Sequence, residues 1–290
     1  SAPTDYDRYA AARIMAEEQR HGWQMAYLLM TYFGQQGRRE AQKLLERNAQ
    51  DGDRLLGAFN IPMPHWLDFF CYTMFVDRDG KFQLGMLSTS AFKPLAASMG
   101  PMLKEESFHL GTGSNGLRRI IKAGVIPLDM LQRYINKWVS TAHDLFGVDA
   151  SSSAHWAYVW GIKGRWDERK KLDAGIEVNK EVLNEESRGH YHQEIVGEVR
   201  KLCGYLPEGA QELYVPHENF NRAIGATKGQ HFNVDGTPFE GSEEDYAAYL
   251  AEVLPTDQDE LDLQELFKQE WIANKPCLLY TSPSPRDVHL

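Results

Sequence analysis

Two copies of one short pattern, Glu17-Glu18-Gln19-Arg20-His21 and Glu105-Glu106-Ser107-Phe108-His109, are the features that most constrain this chain. In an α-helix, residues three and four apart share a face, so Glu18 stands with His21 and Glu106 with His109. Each couple interrupts an otherwise largely apolar stripe: Ile14, Glu18, His21, Met25, Leu28 and Tyr32 in the first, and Leu95, Met99, Met102, Glu106 and His109 in the second. A carboxylate on a buried seam has to be protonated, paired or bound to a cation. Glu17 and Glu105 fall off both stripes and read as solvated. A single Glu-x-x-His is more often a hydrogen-bonded couple in a structural bundle; two on inward faces shift the balance towards a metal centre.

A third acid strengthens that reading. Asp77 continues the stripe Trp66, Phe70, Thr73 and precedes Glu106 by a spacing that suits two antiparallel helices joined by a short connection. Asp79, two residues on, points elsewhere on a helix. A ferritin-like di-metal bundle takes one carboxylate from each of two helices and a Glu-x-x-His from each of the other two. The expected ligands are therefore Glu18, His21, Asp77, Glu106 and His109, with one carboxylate lacking. By analogy with the Asp77–Glu106 hairpin, that carboxylate is expected upstream of residue 1, on a first ligand helix missing from the sequence. Asp5 and Asp7 lie on Glu18's own helix, too far along it to share an ion; Glu40 and Glu46 look exposed beside Leu44 and Leu45.

Punctuation along the chain predicts an all-α fold. A long helix covers residues 5–33 up to Gly34, a shorter one 38–48 up to Asp51-Gly52-Asp53, and a third starts near His65 behind Pro62 and Pro64, with Gly80 as a possible interruption. The next opens at Pro94, kinks at Pro101 and ends in a loop at Leu110–Gly116; helices follow over 116–123, 127–146 and 173–202. Asn233–Thr237 has the Asp-Gly of a tight hairpin turn, and 243–254 is an acidic helix. The expected organisation is a bundle core over 1–146, a helical extension with a small irregular part over 147–275, and a non-native tail over 276–290, whose composition resembles translated adapter sequence.

A formal net charge of −10 argues against a nucleic-acid surface, and the most apolar stretch, Trp23–Phe33, is too short and polar-flanked to span a bilayer. Cys71, Cys203 and Cys277 form neither a disulfide framework nor a zinc knuckle, which fits a cytoplasmic setting. His190 and His192 lie on opposite sides of a helix, and His143 and His155 lack a carboxylate at helical spacing. Lys163, Arg165, Arg222 and Lys228 are candidates for substrate phosphates, although each reads first as a surface charge.

Three longer stretches carry a resemblance. Met15–Gln24, Phe75–Gly80 and Lys104–Gly111, together with Trp156–Trp166 and Gly225–Gln230, are similar to the oxygenase components of the benzoyl-CoA 2,3-epoxidase family, over most of residues 5–275. The resemblance implies a ferritin-like di-iron monooxygenase that epoxidises the ring of benzoyl-CoA with O2 in aerobic benzoate degradation. It also implies electrons from NADPH, delivered by a separate flavin and iron–sulfur reductase. Carried over by position, the iron ligands are Glu18, His21, Asp77, Glu106 and His109; the family's remaining Glu has no counterpart, so this fragment is expected to be inactive alone. A phenylacetyl-CoA epoxidase-like subunit is the close alternative, and a non-catalytic helical scaffold or acyl-CoA-binding protein the distant one. Met25 and Gly113 stand where a radical-generating subunit would carry a Tyr, and an iron store would be shorter.

Overall fold

Three long rods build the part of the molecule that matters for the site. In the computed structural model, which describes residues 3–46, 56–165, 168–177, 179 and 181–267, α1 (Asp5–Tyr32) starts from Thr4, whose side chain accepts the Asp7 N–H. Gly34, at φ 56°, turns the chain into α2 (Gly34–Glu46), which folds back along α1. His65 caps α3 (Trp66–Cys71), which runs through a π-helical turn (Tyr72–Val76) into α4 (Asp77–Leu87) without breaking at Gly80. The third rod is α5 (Lys93–Ala123), closed by Gly124 at φ 66°. Behind these lie α6 (Leu128–Leu145), α7 (Ser152–Val159), α8 (Glu168–Asp173), α9 (Leu183–Cys203), α10 (Glu243–Val253) and α11 (Asp257–Leu266). The expected turn at Asn233–Thr237 forms, with Asn233 N–H donating to Thr237 O at 2.8 Å and one β-bridge, Phe232–Pro238. The architecture is all-α and ferritin-like, and among the described residues no helix is long and apolar enough to cross a membrane.

The loop expected at Leu110–Gly116 does not exist: α5 continues through it, as it does through Pro101. The glycines there serve close helix packing. A Cβ on Gly113 would lie 2.7 Å from Thr73 Oγ1 and 2.8 Å from Phe70 O, and one on Gly116 would strike the Phe70 ring. Composition that reads as a turn is here the contact that lets α5 lie against the α3–α4 rod. The candidate breaker Asp51-Gly52-Asp53, Trp166, Cys277 and the tail 276–290 fall outside the described residues.

Packing fixes the register. Arg119 on α5 grips the fully buried Asp7 at the start of α1, while Tyr32 and Phe33, at its end, meet Phe92 edge-on, so the two helices run antiparallel. The main core lies on the other flank, where α6 and α9 press Tyr134, Trp138 and Tyr191 against Phe70 and Phe75. Buried Asp68 accepts there through Oδ1 from Lys137 Nζ and Trp138 Nε1, both at 2.8 Å, and His65 Nε2 lies 3.1 Å from its Oδ2. The remaining flank, between α1 and the α3–α4 rod, is an open groove of about 1280 Å³ walled by Ile14, Met25, Phe69 and Tyr72, with Glu18 and Asp77 on its sides.

Candidate metal centre

Halfway along the three rods, four of the five predicted side chains meet. His109 is fully buried, and its Nδ1 has Glu18 Oε1 at 3.4 Å, Glu106 Oε2 at 3.6 Å and Asp77 Oδ2 at 3.7 Å. None of these contacts is a hydrogen bond: Asp77 Oδ2, Glu106 Oε2 and His109 Nδ1 are all buried without a partner. Atoms of Glu18, Glu106 and His109 lie within 4.8 Å of one another. Donors each about 2.1 Å from one cation lie roughly 3–4 Å apart, so the set fits a metal ion. Leaving three such atoms unpaired in a dry interior is otherwise costly.

The fifth residue, His21, stands at the margin, its ring centroid 6.4 Å from that of His109. Glu18 spans the interval: its other oxygen, Oε2, is 3.7 Å from His21 Nδ1. One carboxylate thus presents an oxygen to each imidazole. Glu18 is also half-exposed towards the groove, whereas Glu106 and Asp77 are enclosed.

Glu17 and Glu105 correct the sequence reading. Neither is solvated: Glu17 Oε2 lies 3.0 Å from His109 Nε2, and Glu105 Oε2 lies 2.7 Å from His21 Nε2. The first Glu of each motif therefore holds the histidine of the other across the α1–α5 interface. A ring whose Nε2–H donates outward keeps Nδ1 aimed inward, the arrangement that fixes metal-ligating histidines. The signal was present as the doubled Glu; reading it needs the antiparallel register of two helices, which neither contains alone.

Electrostatics follow from this crowding. Burial, reinforced by Glu106 and Glu18, holds the Asp77 carboxyl well above the ordinary carboxylate range, and burial likewise raises Glu106. Burial alone would depress the His109 imidazole; Glu106, Asp77 and Glu17 outweigh it and hold it at about 9. The His21 imidazole is raised by Glu18 and Glu105 against its own burial. Without metal, the protonated imidazole is the countercharge of the acids.

Asp79 is a buried acid outside this group, accepting from Gln83 Nε2 at 3.1 Å, and burial pushes it up to about 7. A raised acid costs stability as pH climbs from its unfolded value to its folded one, here from about 4 to about 7. Asp79→Asn keeps the acceptor and removes the charge. The variant should be more stable than the parent at pH 8, by up to about 4 kcal/mol, and equal to it at pH 4. Urea unfolding of metal-free protein at both pH values is the check, and no gain at pH 8 counts against a costly charge at this position.

The other candidates fall away. Arg165 pairs with Glu186 and Arg222 with Asp144, both arginines being buried rather than on the surface, and Lys163 donates to Gln83 and Asn184. Lys228 is exposed. His192 stacks on buried His143 with ring nitrogens 3.3 Å apart, and among the described residues Glu40 and Glu46 bond to neighbours on α2.

The comparisons agree with the geometry. Residues 3–217 match the family described as phenylacetic acid catabolic protein. The chain is 35% identical to "Benzoyl-CoA oxygenase component B" of Aromatoleum evansii, over 92% of its own length and 65% of the relative's. It thus spans less than two thirds of that protein.

Proposed function

The chain belongs to the phenylacetic acid catabolic protein family, and from that premise we propose that it carries most of the metal centre of a cytoplasmic di-iron monooxygenase acting on an aromatic acyl-CoA, benzoyl-CoA first. The observation that supports this most directly is the convergence of Glu18, Asp77 and Glu106 on His109 Nδ1, with three buried atoms unpaired. The relative's name supplies the substrate and, as a "component B", a partner; a flavin and iron–sulfur reductase fed by NADPH would be that partner.

Glu18, His21, Asp77, Glu106 and His109 would hold the metals, Glu18 presenting one oxygen towards each imidazole and His109 being the more enclosed of the two histidines. A carboxylate-rich iron pair supplies O2 activation when bound. The protein's own contribution is placement. Glu17 and Glu105 aim the imidazoles, Met99 and Met102 keep water from the α5 side, and the groove beside Glu18 and Asp77 admits a further carboxylate or the ring.

Iron analysis and a substrate-dependent assay test the reading. The protein should hold iron, up to about two ions per chain for a ligand set of this kind. NADPH consumption with the reductase should depend on benzoyl-CoA. Folded, iron-free protein would favour a helical scaffold, and an equal response to phenylacetyl-CoA would shift the substrate to that thioester.

A further inference from the structure

The two motifs differ at two positions, Gln19 against Ser107 and Arg20 against Phe108, and the second adjoins the histidine. In Glu-Glu-Gln-Arg-His, the residue before the histidine is Arg20; in Glu-Glu-Ser-Phe-His it is Phe108. Arg20 on α1 reaches across to α5 and pairs with Glu105, the acid that holds His21. Symmetry of the crossed motifs would have an arginine at 108 reach back to Glu17, and Phe108 has no such group. Arg13 fills the gap from α1 itself. Its Nε donates to Glu17 Oε1 at 2.8 Å, and its guanidinium carbon sits over the Phe108 ring, 3.9 Å from the centroid. With one oxygen of Glu17 held by Arg13, the other is left for His109 Nε2.

Resting on the metal-site reading above, we infer that Arg13, seated on Phe108, is a positioning residue of the centre that acts on His109 through Glu17. An exposed i,i+4 ion pair contributes little by itself. This one is stacked on a half-buried ring and holds an acid that is mostly covered, so its effect falls on orientation rather than on overall stability.

The test uses Arg13→Met, which keeps an apolar stem over Phe108, and the double variant Arg13→Met/Phe108→Arg, which restores an arginine at the symmetry-related place. Cobalt(II) affinity is measured by chelator competition, and the downfield Nε2–H resonance of His109 is followed in metal-free protein. Arg13→Met should bind cobalt about tenfold more weakly, lose the resonance to exchange and keep its melting temperature. The double variant should recover both signals. Unchanged affinity and resonance in Arg13→Met, or a double variant no better than the single, would overturn the inference. A parent chain that takes up no cobalt would count against the metal reading itself, and the resonance would still decide the role of Arg13.

Discussion

His109→Gln should weaken cobalt(II) binding by at least about 100-fold and flatten its pH dependence, because one imidazole is both the central ligand and the group whose proton the metal displaces. In the parent, His109 sits at about 9 with its Nδ1 facing three carboxylates. Each pH unit below that value costs the metal about tenfold in competition with the proton. Parent affinity should therefore climb steeply from pH 6.5 to about 9, and the variant's far less. The metal-free forms give an independent reading with a definite sign. A histidine raised above its unfolded value stabilises the fold fully below about 6.5 and loses that contribution as pH rises through about 9. His109→Gln should then be destabilised by about 3 kcal/mol at pH 6, with the deficit shrinking towards pH 9.5. Chelator competition at three pH values and urea unfolding at two are sufficient. A variant whose affinity keeps the parent's slope would mean that another group carries the displaced proton.

How much of this was legible in the sequence depends on how many helices each feature needs. Glu18, Asp77, Glu106 and His109 each announce themselves within one helix, as a polar break in an apolar stripe, and the structure brings these four together. Glu17 and Glu105 take meaning only once α1 and α5 are set antiparallel, so a single-helix reading assigns them to solvent. The π turn before Asp77 has no compositional mark in Tyr72–Val76, a run of bulky residues that an ordinary helix would also accept. The stretch Leu110–Gly116 misleads for a related reason. Glycine is demanded equally by a turn and by a close helix crossing, and the two cannot be separated without the partner helix. Tyr32, placed on the first inward stripe, is instead half-exposed at the end of α1, where it meets Phe92.

That crossing carries the second large expectation. Gly113→Ala should destabilise the chain by about 3 kcal/mol or more, although alanine is the better helix former. The added methyl would fall on the Met74 amide nitrogen and lie 2.8 Å from Phe70 O. Both are backbone atoms inside the α3–π–α4 rod, so no rotamer change relieves the contact, and α5 has to move away. Gly100, on the same helix, is the control: a Cβ there meets nothing within 4 Å, and Gly100→Ala should stabilise by about 0.5–1 kcal/mol. The displacement also reaches the site, because Asp77 follows the π turn directly while Glu106 and His109 ride on α5. Separating the rods by even an ångström pulls Asp77 from the other donors, so the folded fraction of Gly113→Ala should bind cobalt(II) at least about tenfold more weakly than Gly100→Ala, a loss of the size that disturbed ligand placement brings. Urea unfolding and chelator competition on the pair read the two effects separately. Equal stability in the two variants would show that α5 and the π turn are not in the tight contact on which the placement of Asp77 depends.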